Sequence, residues 1–363
     1  MDCLVGLVFQ GRARPAEAVL TCAIALLLIC PAARGGDFDD EPVGLRISLA
    51  LDRTSSFTDT VGRTASVAYP LGSSVNPAGY DFLREPPLDY AGLVTLTDNL
   101  AVFESGASVM GLSSTGAFRL PEAGTLFATY IRTDSHQARS CQGDTFVLRS
   151  NEVTLGYSHR VREGLSLAGS AKLTDSSLGI DDSFAGFDRN TDTDSEGIDL
   201  KLGVLMAPAE DWLIGFCGGA GWTSSNTEGS LLLPPPPFGP GPVAIMVEDT
   251  TTSVNLRAGV GWRPSDAFGF YSDGQYLHLE NGESSLDVGR LLVGLEVSPA
   301  KTVTVRFGGS IDTEKALTVS GGVGFYGIKG VPIEFAYSYN PFPETNHEFG
   351  RAHLFSVSIV VLF

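Results

Sequence analysis

The feature that most limits what this chain can become is a two-residue rhythm. It recurs in segment after segment of roughly ten residues. In "EGIDLKLGVLM", Ile198, Leu200, Leu202, Val204 and Met206 alternate with Asp199, Lys201 and Gly203. In "TSVNLRAGVGW", Val254, Leu256, Ala258, Val260 and Trp262 alternate with Asn255, Arg257 and two glycines. "KTVTVRFGGSI" and "GVPIEFAYSYN" follow the same rule, with Arg306 and Glu334 among the polar set. Successive side chains of a strand point to opposite faces, so each segment has one apolar and one polar face. Beyond residue 36 no helical periodicity of any length competes with this pattern. The fold class is all-β.

Two architectures satisfy it. A soluble sandwich would turn the apolar faces into a core. A transmembrane antiparallel β-barrel would turn them to lipid and leave the polar, glycine-rich faces in the lumen. Several features favour the barrel. The connections alternate in length: "VREG", "APAED", "RPSDA", "SPAKT" and "GIKGV" are short. "DDSFAGFDRNTDTDSE", a proline ribbon and "NPFPETNHEFG" are long, and "ENGES" and "DTEKA" are intermediate. Short periplasmic turns opposite longer outer loops are the outer-membrane pattern. Trp212, Trp222 and Trp262 fall near strand ends, where interfacial aromatic girdles lie.

The two termini agree. "AVLTCAIALLLIC" follows Arg12 and Arg14 and precedes the small residues of "PAARGG". It is too short to span a membrane as a helix and has the form of a cleaved secretory signal, which assigns residues 1–35 to a signal peptide. The chain ends "HLFSVSIVVLF", with Phe355, Val357, Ile359, Val361 and Phe363 on one face. A terminal strand closing on Phe363 resembles the signal read by the barrel-assembly machinery of bacterial outer membranes.

Strands are expected near 92–104, 110–119, 124–134, 147–161, 163–174, 196–207, 211–223, 250–263, 267–280, 284–298, 301–312, 315–327, 331–340 and 351–363, fourteen in all. A further strand at 44–53 would change that count. An even number puts both termini in the periplasm, and every short turn then falls on that side. The barrel is thus assigned to 91–363, and residues 36–90, which break the rhythm, to an N-terminal hatch or plug.

Residues 36–90 contain "ASVAYPLGSSVNPAGYDF". Asn76, Pro77, Ala78 and Gly79 are turn chemistry, because a residue before proline is pushed out of the helical region. Placed early in a fourteen-strand barrel, this tetrapeptide resembles the Asn-Pro-Ala motif in the hatch of FadL-type hydrophobic-compound transporters. The tail "HEFGRAHLFSVSIVVLF" is similar to the last strand of that superfamily, including its PorV-like branch. The resemblance implies a protein of the Gram-negative outer membrane that is no enzyme. It implies passive uptake of hydrophobic molecules such as fatty acids or aromatic hydrocarbons, with a hatch blocking the lumen and a lateral exit beside a kinked strand. It leaves two alternatives: a PorV-like barrel serving a secretion machine, and a general porin.

The residues themselves restrict the chemistry. With 24 Lys and Arg against 42 Asp and Glu, the net charge of −18 argues against nucleic acid as a partner. The expected partners are outer-membrane lipids and a hydrophobic small-molecule ligand. The five histidines occupy no nucleophile or metal spacing, so neither a catalytic site nor a cofactor is expected. "FDRNTDTDSE" is acidic and could bind calcium, but it lacks a glycine-pinned calcium-loop spacing and is expected as a solvated outer loop. Cys141 and Cys217, the cysteines beyond the signal segment, make no disulfide framework.

Lys201, Arg257 and Arg306 have lumen parity; most such charges should pair within the lumen, although the two arginines could bind a ligand carboxylate. Glycine runs at 217–221, 307–310 and 320–324 are candidate gap sites, or simply lumen-facing residues that make room for a hatch. The ribbon "GSLLLPPPPFGPGPVAIM" cannot join a helix or a ladder interior through its prolines, so it is expected in an outer loop. Its Leu231, Leu232, Leu233 and Phe238 either pack on the rim or form a stiff landing surface for ligand.

Overall fold

The computed structural model of the protein describes residues 75–82, 91–120, 123–135, 138–141, 143–184, 187–232, 243–282, 284–327 and 331–363. The signal segment, the possible strand at 44–53 and most of the 36–90 segment lie outside these residues.

Fifteen strands make one sheet: β1 (Gly92–Phe103), β2 (Ser108–Leu120), β3 (Gly124–Ser135), β4 (Ala138–Arg139), β5 (Thr145–Arg162), β6 (Leu165–Phe184), β7 (Phe187–Ala209), β8 (Trp212–Leu232), β9 (Val243–Ser265), β10 (Phe268–Asn281), β11 (Ser284–Ala300), β12 (Val303–Asp312), β13 (Leu317–Phe325), β14 (Ile333–Tyr339) and β15 (Ala352–Leu362). The pairings are antiparallel and follow chain order, β1 pairs with β15, and β3 pairs with β5 past the two-residue β4. The sheet is therefore closed, with fourteen long strands as its staves.

Burial decides between sandwich and membrane barrel. Ile198, Leu200 and Leu202 are 41%, 49% and 72% exposed, and Val357, Ile359 and Val361 are exposed in the same way on the last strand. Alternating with such residues, Arg257, Arg306, Asp273 and Glu334 are buried in the interior. The apolar faces point outward, where lipid rather than a protein core covers them.

The short turns collect at one end. Gly164 closes the β5–β6 turn at φ +73°, a conformation that favours glycine, and a Cβ there would sit 2.8 Å from the Ala207 carbonyl oxygen. Aromatic pairs ring this end: Trp212 with Trp262 at 6.1 Å, Phe118 with Phe363 at 5.7 Å and Phe325 with Phe335 at 6.3 Å between centroids. Tyr337 and Phe355 (5.3 Å) and the exposed Trp222 lie nearer the long-loop end.

The two sides of the barrel differ in height. Strands β6 to β9 run for 20, 23, 21 and 23 residues, whereas β12, β13 and β14 have 10, 9 and 7. At about 3.3 Å per residue and about 40° tilt, the tall strands rise roughly 55 Å, against a lipid-facing band of roughly 25 Å. This corrects two expectations. The acidic stretch "FDRNTDTDSE" is no loop but the first part of β7, paired with β6 from Phe187 onward and with β8 from Asp188 onward. Likewise β8 and β9 continue well beyond residues 223 and 250, to Leu232 and from Val243. Thr193 bonds Thr227 at 2.8 Å and Ser195 bonds Ser225 at 2.9 Å on the inner face of this extension. Above the bilayer a sheet can be polar on both faces, because neither meets lipid.

Candidate functional site

The barrel interior has three zones. The first is where Asn76–Gly79 meets the wall. Pro77 begins a 3-10 turn over Pro77–Phe82. The Asn76 side chain closes the entry to that turn, its Oδ1 accepting from the Ala78 N–H at 3.1 Å. The Gly79 N–H donates to the Asn76 carbonyl at 2.9 Å. Asn76 Nδ2 then reaches across to the Val204 carbonyl of β7 at 3.0 Å. The wall makes room at Gly203, where a Cβ would stand 2.3 Å from Asn76 Oδ1 and 3.0 Å from Pro77 Cδ. Asn76 and Ala78 are fully buried. Tyr80 stacks on Phe127 of β3 with centroids 4.4 Å apart. Burial raises the Tyr80 phenol pKa, opposed by hydrogen bonds with Thr129 and Thr115, so it stays neutral. The sequence motif and its dock are thus both inside the barrel.

The second zone is ionic. Arg257 Nε bonds Asp273 Oδ2 at 2.8 Å, with both side chains buried. Arg306 bonds Glu296 at 2.8 Å and Glu334 at 2.9 Å, and its third nitrogen donates to the Tyr326 hydroxyl at 2.8 Å. Tyr326 in turn donates to Glu334 at 2.5 Å. Lys172 lies 3.0 Å from Asp199 and 3.4 Å from Glu152. Arg257, Arg306 and Lys172 are thus neutralised by carboxylates of the wall, which leaves the two arginines poorly placed to take a ligand carboxylate. Lys201 faces the same interior on β7, two residues from Gly203, in register with Ser170 and Gly219.

The third zone escapes a reading based on strand parity. On the inner face of the long-loop half, Ala101, Phe103, Phe146, Ala352 and Leu354 pack with Phe342, and Val109, Leu178, Ile180 and Phe349 lie against them. Phe349 meets Phe103 at 5.4 Å and Phe146 at 5.0 Å. Phe342 and Phe349 belong to the long connection 340–351, which folds inward through Pro343–Thr345 and Asn346–Phe349. A second inward apolar group, Leu277, Leu279, Leu286 and Val288, lines the ends of β10 and β11. At these two places the inner face of the mouth is apolar.

Leu231 and Leu232 are the last residues of β8, paired with Arg189 and Asp188 of β7, so the ribbon starts later than expected; Leu233 and Phe238 lie outside the described residues. The three glycine runs sit in continuous ladders with both neighbours and make no gap. Phe363 is exposed on the outer face beside Phe118, and its carbonyl accepts from the Ala91 and Gly92 N–H groups at 2.6 and 2.9 Å. Cys141 and Cys217 are free thiols. Among the described residues no group of three potential metal ligands comes together.

No family profile matches the chain, and no curated protein matches it in sequence. Solved structures do match its fold. The toluene transporter TbuX of Ralstonia pickettii superposes with a TM-score of 0.60 at 14% identity, over 84% of this chain and 97% of its own. A FadL homologue of Pseudomonas aeruginosa gives 0.59 at 12%, over 83% and 96%. The toluene transporter TodX of P. putida gives 0.54 at 14%, over 84% and 97%. The fold is that of the FadL-like outer-membrane transporters.

Proposed function

We propose that the protein is an outer-membrane channel for passive uptake of hydrophobic small molecules, with fatty acids and aromatic hydrocarbons the first to test, and that it performs no catalysis. The observation that carries this reading is the inward-facing apolar cluster of Phe103, Phe146, Leu178, Ile180, Phe342 and Leu354. A pore for polar solutes has no use for such a lining, whereas a hydrophobic ligand leaves water favourably there, at roughly 25 cal/mol per Å2 of apolar surface covered. The fold shared with toluene transporters and a FadL homologue supports it.

In this reading ligand meets the tall wall of β6 to β9, aided by the apolar residues of the connection between β8 and β9. It enters the apolar mouth by displacing Phe342 and Phe349, and is held above a hatch built around Asn76–Gly79. The barrel-assembly machinery recognises the strand ending at Phe363. The test is the initial uptake rate of labelled toluene, dodecane and oleate in a deletion strain and its complemented parent. Complementation should restore the rate for at least one compound, and replacing Leu231, Leu232, Leu233 and Phe238 with Ser should lower it without loss of folded barrel. Equal rates with and without the protein for all three would refute the proposal.

A further inference from the structure

One row of inward side chains lies immediately below the apolar mouth. Asn99 of β1 is in register with Gly111 of β2, Gly111 with Thr133 of β3, and Thr133 with Ser150 of β5. The row continues through Ser176 and Ser195 on β6 and β7. Asn99, Thr133 and Ser150 are 2%, 1% and 2% exposed. Yet Asn99 Oδ1, Thr133 Oγ1 and Ser150 Oγ have no hydrogen-bond partner among the described residues. Burying one such group unsatisfied costs about 1 to 3 kcal/mol, so three in one row are a standing demand for a polar atom in the lumen.

The neighbouring rows restrict what that atom belongs to. Toward the mouth the next row is mostly apolar: Leu354, Ala101 and Val109, then Ser135, whose Oγ already accepts from the Leu148 N–H at 2.8 Å, with Leu148 and Leu178 further round the wall. Toward the short turns the next row holds Thr97, already bonded to Ser358 at 2.9 Å, and the buried Glu152. Of the inward-facing lysines on β6 and β7, the nearer one, Lys172, is held by Glu152 and Asp199. Lys201 is three rows down, about 20 Å along the strands.

We propose that Asn99, Thr133 and Ser150 bind the neutral hydroxyl head of an amphipathic ligand whose apolar body packs against Phe103, Phe146, Leu178 and Ile180. This rests on the uptake reading above and narrows its substrate class to long-chain alcohols and phenol-like compounds. A hydroxyl both donates and accepts, so it can donate to Asn99 Oδ1 and accept from Thr133 or Ser150. A carboxylate only accepts, and it would face Glu152 with the nearby Lys172 already engaged.

The experiment is equilibrium dialysis of the full-length mature protein in detergent micelles against labelled 1-decanol, decane and decanoate, with binding to protein-free micelles subtracted. The wild type should bind 1-decanol about fivefold or more tightly than either of the others, the factor of roughly one neutral hydrogen bond. Thr133→Val and Ser150→Ala should each lower the ratio of decanol to decane binding by a similar factor. If decane binds and decanol binds no better, or if the ratio is the same in wild type and both variants, the row holds only water and the inference falls while the uptake reading stands. If none of the three binds above empty micelles, the uptake reading fails with it.

Discussion

Replacing Gly203 with Val should unseat the turn at Asn76–Gly79. A Cβ at this position meets Asn76 Oδ1 at 2.3 Å and Pro77 Cδ at 3.0 Å, and valine adds two methyl groups toward the same atoms. Overpacking of this kind costs about 1 to 3 kcal/mol, and losing the hydrogen bond from Asn76 Nδ2 to the Val204 carbonyl adds about 1 kcal/mol. A penalty of about 2 to 4 kcal/mol multiplies the undocked population by roughly 30 to 1,000. The barrel itself should survive, because the Gly203 backbone keeps its pairing with Ala168 and Cys217 and the new side chain points into the lumen. Single-channel recording in planar bilayers reads the result. The wild type should show rare, brief openings, and G203V long, large ones, with an unchanged heat-dependent gel shift as proof of a folded barrel. A folded G203V protein with wild-type conductance would refute the idea that this turn helps close the lumen.

Further expectations follow from the same geometry. Arg306→Met leaves Glu296 and Glu334 without their shared cation, which should cost about 3 to 5 kcal/mol and lower the unfolding temperature in detergent; adding E296Q and E334Q should recover much of the loss. Phe342→Ala removes a buried ring from the mouth cluster, so the barrel should lose about 3 to 5 kcal/mol or less, as far as the connection relaxes, and the mouth should open more readily to a hydrophobic fluorescent probe. Phe363→Ser should slow insertion into the outer membrane in a pulse-chase experiment. A barrel extracted, refolded and then melted should differ little from the wild type, because the Phe363 ladder contacts are mostly main-chain.

How much of this was legible depends on what lies beside each strand. The fourteen staves are readable because lipid imposes an apolar face, and that face marks β15 as plainly as it marks β7 between Ile198 and Met206. Residues 188–196 of β7 are strand as well, but Asp and Thr alternate there with other polar groups, and no apolar period betrays them. The mouth cluster was hidden for the opposite reason: parity marks inner positions as polar, and Phe342 and Phe349 reach the lumen through an irregular connection. A signal for it does exist. The inner face of β1 changes from Thr95, Thr97 and Asn99 to Ala101 and Phe103, and that of β6 from Lys172, Thr174 and Ser176 to Leu178 and Ile180. Both changes occur between the same two register rows, which only the pairing reveals. Asn76–Gly79 was readable as a turn, but its dock at Gly203 lies 124 or more residues away in sequence and needed the fold.

The central claim is that hydrophobic molecules cross the membrane through this barrel. Its most direct test is flux of labelled toluene or dodecane across an asymmetric bilayer with a lipopolysaccharide outer leaflet, with and without the purified protein. The protein should give a faster initial flux that saturates with concentration and falls when the mouth is filled, for instance by Ala101→Trp. An unchanged flux for every hydrophobic compound, alongside a high conductance for salt, would contradict it.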